Sequence, residues 1–209
     1  MNDEKFIEFI NQANIHFGII HRVGSLLLMY SLTEDKLNEF SNEVVWYDKN
    51  DTRADNKHRM KETGRMLNGY RQCTKELIII GLAKTIEDLL YDIEDKFQLK
   101  LNFLTDFEGC NCYEEMRIIR YLNNCIKHNK GKIERGNSSG NYLIDNAGFE
   151  EGSNINDIEI DIEEFILKSF VFQMDIFFKQ TNKENPYLKS KDKYDDIKTI
   201  LIPSFIKSN

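Results

Sequence analysis

Apolar side chains recur at helical spacing from residue 4 to 32, at Phe6, Phe9, Ile10, Ala13, Phe17, Ile20, Val23 and Leu27. The pattern predicts a long amphipathic helix, lightly interrupted by Gly18 and Gly24. Thr33 followed by Glu34 and Asp35 reads as the start of a second helix reaching about Tyr47. The polar, aperiodic run 48–57 predicts a connecting loop. No proline interrupts the chain from His58 to Leu99, which reads as one long helix or two stacked ones, its apolar half from Leu77 in the core. Residues 100–111 read as a loop anchored by Leu101, Phe103, Leu104 and Phe107. A further helix is predicted from Tyr113 to His128 with Met116, Ile119, Leu122 and Ile126 inside, stopped at Gly131 by a left-handed cap.

The next thirty residues change character. Asn137-Ser-Ser-Gly140 reads as a turn, and residues 141–164 hold eight acids and neither Lys nor Arg. Ile158, Ile160 and Ile162 alternate with acids at period two, which predicts a short strand or hairpin. Asp161, three residues before Glu164, is placed to cap a helix running from Ile162 to Lys179 that is apolar almost all round. Asn185-Pro186 closes it. A charged tail follows, with one apolar cluster from Ile200 to Phe205. The predicted class is all-α: a four- to five-helix bundle with a small β-like insertion before the last core helix. Residues 1–57 form a helical segment packing on a bundle at 58–182, and 183–209 form the tail.

Composition narrows the function. Of 209 residues, 41% are apolar and 30% charged, with two prolines and eleven glycines, as befits a folded and mainly helical chain. The net charge of −7 argues against a protein that coats nucleic acid by charge alone. No run of about 18 uncharged apolar residues is present, so no membrane span is expected. The start carries acids and lacks a signal-peptide core, which predicts a cytoplasmic protein whose four cysteines are reduced thiols.

Charge is nevertheless concentrated. Residues 117–135 carry Arg117, Arg120, Lys127, Lys130, Lys132 and Arg135 against Glu134 alone, a local balance of +5 in a chain that is otherwise −12. Such a spot reads either as a focused anion site or as a solvated helix end whose cations answer the negative pole of the helix. Within it, Asn124 and His128 are four residues apart and share a helical face, about 6 Å apart along the axis. Arg120 is about 12 Å from His128 along the axis and roughly 80° round. An imidazole exchanges protons near neutral pH, and a guanidinium holds a phosphate.

The run Asn123-Asn-Cys-Ile-Lys-His128-Asn-Lys-Gly131 closes a helix and precedes a polar connection and an apolar helix. In this it resembles the HEPN superfamily of prokaryotic helical domains over about residues 60–180. The family signature is an Arg, a polar residue that is often Asn, and then His. The resemblance implies a HEPN-like bundle that pairs as a homodimer with two such helices facing across a cleft. It also implies RNA as the partner and metal-independent endoribonuclease chemistry without a cofactor, in phage-defence or toxin–antitoxin systems that supply an antitoxin or other partner protein.

By the same resemblance His128 transfers a proton, Arg120 answers charge on the phosphate and Asn124 orients the group. Asn123, Lys127, Asn129 and Lys130 follow the RNA backbone. The chain departs from the signature in one respect. The family leaves four to six residues between Arg and His, whereas Arg120 leaves seven and Asn123 stands directly before Asn124. A catalytically silent HEPN-like module that binds a protein or nucleic acid is the alternative.

Other motifs carry less. Cys110-Asn-Cys112 lacks the two-residue spacing of zinc knuckles, and the acidic stretch lacks the Asp ladder of a calcium loop, so no metal site is expected. His16 and His21 are five apart and do not share a helical face; they and His58 read as structural or surface residues. Trp46 and Tyr47 read as core or interface anchors. No glycine-rich phosphate loop and no serine nucleophile motif is present.

Overall fold

A computed structural model describes residues 3–188 and 193–202. Its helices are α1 (Asp3–Glu43), α2 (Arg53–Phe97), α3 (Phe103–Asp106), α4 (Tyr113–Asn129), α5 (Ser138–Asp145), α6 (Ile162–Gln180) and α7 (Lys193–Leu201). The all-α class is therefore established. The apolar cluster at the C-terminus is described only as far as Ile202; Phe205 lies outside the described residues.

Two predicted elements fuse in α1. Thr33 does not begin a helix, because its hydroxyl donates to the Met29 carbonyl at 2.8 Å and the preceding turn runs on. The helix buries Ile15, Ile19, Val23 and Leu27 against α2 and α6. Of the predicted stripe Val23 and Leu27 are buried, whereas Phe6, Phe9, Ile10 and Phe17 are exposed and Ile15 and Ile19 face the core in their place. By length and composition α1 is also apolar enough to cross a membrane, contrary to expectation, with 28% of its apolar window buried. Helix α2 begins earlier than expected. Thr52 caps it by accepting from the Asp55 N–H, and Asn56 is buried, donating to the Asp48 carbonyl.

Helix α6 is central, as its sequence demanded, with Phe170, Phe172, Met174 and Ile176 fully buried. Asp161 caps it, accepting from the Glu164 N–H at 2.9 Å. Phe172 meets Phe103 and Phe107 at centroid separations of 5.9 and 6.4 Å, so the 100–111 segment, which includes the short α3, closes over the core. The buried Gln173 amide nitrogen donates to the Thr85 and Ser169 hydroxyls, both at 3.0 Å, while its side-chain oxygen has no hydrogen-bond partner. Near the C-terminus, α7 adds Ile197 and Leu201 to the same core. It comes so close to α1 that a β-carbon on Gly24 would lie 2.7 Å from the Leu201 carbonyl oxygen.

The β-like insertion at 158–162 is not formed. Among the described residues there is no strand, only one isolated bridge, between Lys132 and Asn154. The isoleucine alternation is real, but the Lys75 ammonium takes the carbonyls of Ile155, Asn156 and Ile158 at 3.2, 3.4 and 2.7 Å. Those acceptors are satisfied by a side chain of α2 rather than by a second strand. What extended pairing exists lies upstream: Ile133 N–H donates to Ser153 O at 2.9 Å, and Ile155 N–H to Gly131 O at 2.9 Å.

Candidate functional site

Helix α4 presents two faces because its sequence does. Met116, Ile119, Leu122 and Cys125 are buried, and one residue round from them the polar positions reach the surface. Lys130, in the left-handed conformation, and Gly131, with φ +78°, turn the chain away. Gly131 N–H donates to the Cys125 carbonyl at 3.0 Å and closes the helix. The chain then doubles back into α5, whose first turn is set by Asn137, its side chain accepting from the Gly140 N–H at 2.8 Å. The predicted turn at 137–140 is thus the cap and first turn of a helix.

Gly140 is required there. A β-carbon would lie 1.9 Å from the Glu134 carbonyl oxygen, so only glycine lets α5 seat against the strap leaving α4. The seating faces the N-terminus of α5 onto the polar side of α4. Asn124 Nδ2 donates to Ser139 Oγ at 3.0 Å across that junction. Beside it is an open cavity of about 320 Å³ lined by Asn124, Cys125, His128, Asn129, Asn137, Ser138 and Ser139. The first N–H groups of a helix lack intrahelical acceptors and carry partial positive charge, so this wall suits an anion. Sequence reasoning missed Ser138 and Ser139. Asn137 followed by apolar Tyr142 and Leu143 was the available signal for a capped helix.

The predicted residues divide. Asn124, His128 and Asn129 share the cavity; His128 is exposed, and Asn124 and Asn129 are half-buried. Lys127 and Lys130 are exposed beside it. Asn123 is corrected: the 100° helical step turns it inward, where it is 2% exposed and its carbonyl oxygen has no hydrogen-bond partner, so it is not a surface contact for RNA. Arg120 is corrected as well. It lines a separate cavity of about 390 Å³ with Tyr91, Glu94 and Phe103, its guanidinium 5.0 Å from the Phe103 ring centre. Within one chain it does not join His128.

The basic cluster is also partly spent. Arg135 pairs with Asp145 at 2.8 Å and Glu151 at 3.2 Å, and Lys132 with Glu134 at 3.6 Å. Arg117 is 3.8 Å from Glu114 and sits 4.1 Å over the Tyr142 ring. Tyr142 donates its hydroxyl to Glu114; burial first, then that bond and charge, pushes its phenol up to about 12. Among the described residues of this cluster, the cations left facing solvent beside the cavity are thus Lys127 and Lys130, a narrower field than the sequence balance suggested.

No family model, curated protein or solved structure matches this chain. The chemistry of the site is therefore argued from its own groups. Among the described residues no cluster of three or more His, Cys, Asp or Glu side chains stands close enough to hold a metal ion. The cavity offers one imidazole, amides from Asn124 and Asn129, serine hydroxyls and a helix N-terminus. That set can hold an oxyanion and move a proton next to it.

Proposed function

We propose that the chain is a HEPN-like, RNA-directed protein of the cytoplasm that cleaves RNA without a metal, in phage defence or a toxin–antitoxin pair. The observation that carries this reading is the cavity in which His128 and Asn124 face the first turn of α5. A phosphodiester seated there meets the N–H groups of Ser138 and Ser139 at its non-bridging oxygens, and Lys127 and Lys130 attract the strand on either side. His128 takes the proton of the ribose 2′-hydroxyl, whose oxygen bonds to phosphorus as the bond to the 5′-oxygen breaks. The leaving oxygen takes a proton from water, and the products are a 2′,3′-cyclic phosphate and a 5′-hydroxyl. Asn124 positions the Ser139 hydroxyl rather than the reacting atoms. DNA, lacking the 2′-hydroxyl, is bound but not cut.

A second reading, favoured by the distance of Arg120 from this cavity, is a silent module that binds RNA or a partner protein through the same surface. Incubating single-stranded RNA with the wild type and with His128→Ala in excess chelator separates the two. Cleavage by the wild type that falls at least about 100-fold in the variant supports the enzyme. Binding without cleavage supports the module, and equal cleavage by both removes His128 from the mechanism.

A further inference from the structure

The two faces of α1 have different fates. Ile15, Ile19, Val23 and Leu27 are buried in the bundle, while on the opposite side Phe6 (50% exposed), Phe9 (59%), Ile10 (40%) and Phe17 (56%) stand in solvent, with Ile7 at their edge. The seam is spaced 4-3-4 through Phe6, Ile10, Ala13 and Phe17, the repeat by which one helix packs on another. Alongside runs a groove of about 220 Å³ between α1 and the end of α6, lined by Phe9, Ala13, His16, Phe17, Phe177 and Phe178.

We infer that this seam joins two copies of the chain, α1 against α1 in antiparallel register centred between Ile10 and Ala13. The arrangement is self-complementary, as a two-fold contact requires. In that register Phe6 of each copy faces Phe17 of the other and Ile10 faces Ala13, and the alanine leaves room for the helices to cross closely. The area agrees. Five large side chains, each about half exposed at roughly 200 Å² apiece, leave on the order of 500 Å² of apolar surface per copy. A stable interface of about 800 Å² per partner is roughly 60% apolar, which calls for that amount. A lipid surface is disfavoured by charge, because Asp3, Glu4 and Glu8 outnumber Lys5 where a membrane-lying helix carries cations.

The inference is independent of the reading of His128. It also differs from a contact across α4. The exposed large hydrophobics among the described residues include none on α4 or α5, whereas five lie in the first four turns of α1. Pairing through α1 leaves the His128 cavity open.

Light scattering and sedimentation of the full chain at about 50 μM test it. The wild type is expected at twice the chain mass. The double variant Phe9→Glu with Phe17→Glu is expected at the monomer mass with unchanged circular dichroism, since both positions are exposed. Tyr91→Glu, exposed elsewhere, is expected to remain dimeric. In a Cys73→Ser background, adding Ala13→Cys is expected to create a covalent dimer with a short bismaleimide. A monomeric wild type, a dimer that survives the double substitution, or a dimer that Ala13→Cys does not crosslink overturns the proposal. So does a wild type that sediments with phosphatidylcholine–phosphatidylglycerol vesicles through these residues.

Discussion

The amide of Asn124 donates to the hydroxyl of Ser139 at 3.0 Å, tying the polar face of α4 to the first turn of α5 across fifteen residues of chain. This bond links a residue legible from helical spacing to one that was not, and it holds the two walls of the candidate cavity together. His128, on the same face one turn later, is exposed and carries no such duty. Stability and chemistry are thus assigned to neighbouring residues. Asn124→Ala is expected to cost about 1 kcal/mol, lowering Tm by roughly 2–4 °C, whereas His128→Ala stays within about 0.5 kcal/mol of the wild type. Thermal unfolding of both variants checks this.

Gly140 and Gly64 form an internal contrast. A β-carbon at Gly140 strikes the Glu134 carbonyl, while at Gly64, inside α2, nothing lies within 4 Å. Gly140→Ala is expected to destabilise by about 1–3 kcal/mol through forced displacement of α5. Gly64→Ala is expected to stabilise by about 0.5–1 kcal/mol by improving the helix. Denaturant midpoints at constant slope measure both.

Lys75 replaces the strand expected at 158–162. Its ammonium serves three backbone carbonyls, and burial pulls its pKa below the usual lysine range. Lys75→Met keeps the stem and removes the donors, so amide hydrogen exchange is expected to quicken through residues 155–160 while the centre of α6 stays protected.

His16 lies between Phe177 and Tyr187, at ring separations of 5.6 and 6.5 Å, and burial lowers its pKa. The folded state therefore prefers the neutral ring. The stabilisation is complete above the unfolded value of about 6.5 and is lost as pH falls from there through the lower folded value. Tm is expected to fall between pH 7 and 5.5, and to fall less in His16→Phe.

Asp175 is 3% exposed. Burial alone would raise its pKa, but the Asn111 N–H at 2.9 Å, the Asn111 amide at 3.0 Å and the Lys179 ammonium at 3.3 Å overcome that and hold it below the usual carboxylate range. These contacts fasten the loop before α4 to α6. Asp175→Ala is expected to cost about 2–3 kcal/mol, seen as a Tm loss of roughly 5–10 °C.

Helix positions were readable where one face alone is apolar, as in α4, or where nearly every face is, as in α6. In α1 both faces are apolar, so periodicity found the helix and the buried Val23 and Leu27, but upstream it chose Phe9 and Phe17 over the buried Ile15 and Ile19. The pairing of Asn124 with His128 followed from four-residue spacing. The gap between Arg120 and His128 followed from spacing as well, but the packing of Arg120 on Phe103 did not, because it depends on how the 100–111 segment folds against α4. The charge balance of residues 117–135 overstated the basic field, since Asp145 and Glu151 answer Arg135 from outside that window. The alternation at Ile158 was genuine, but a lysine more than eighty residues earlier had already taken the carbonyls.

The central claim is that the His128 cavity receives a polynucleotide. The chain has four histidines, so imidazole NMR signals can be assigned by single substitutions and followed while a 2′-O-methyl RNA, which cannot be cut, is added. The expected result is a saturable shift of the His128 signals, weakened by salt, with His16, His21 and His58 unmoved. Binding that leaves His128 unmoved, or no binding at low salt, contradicts the account.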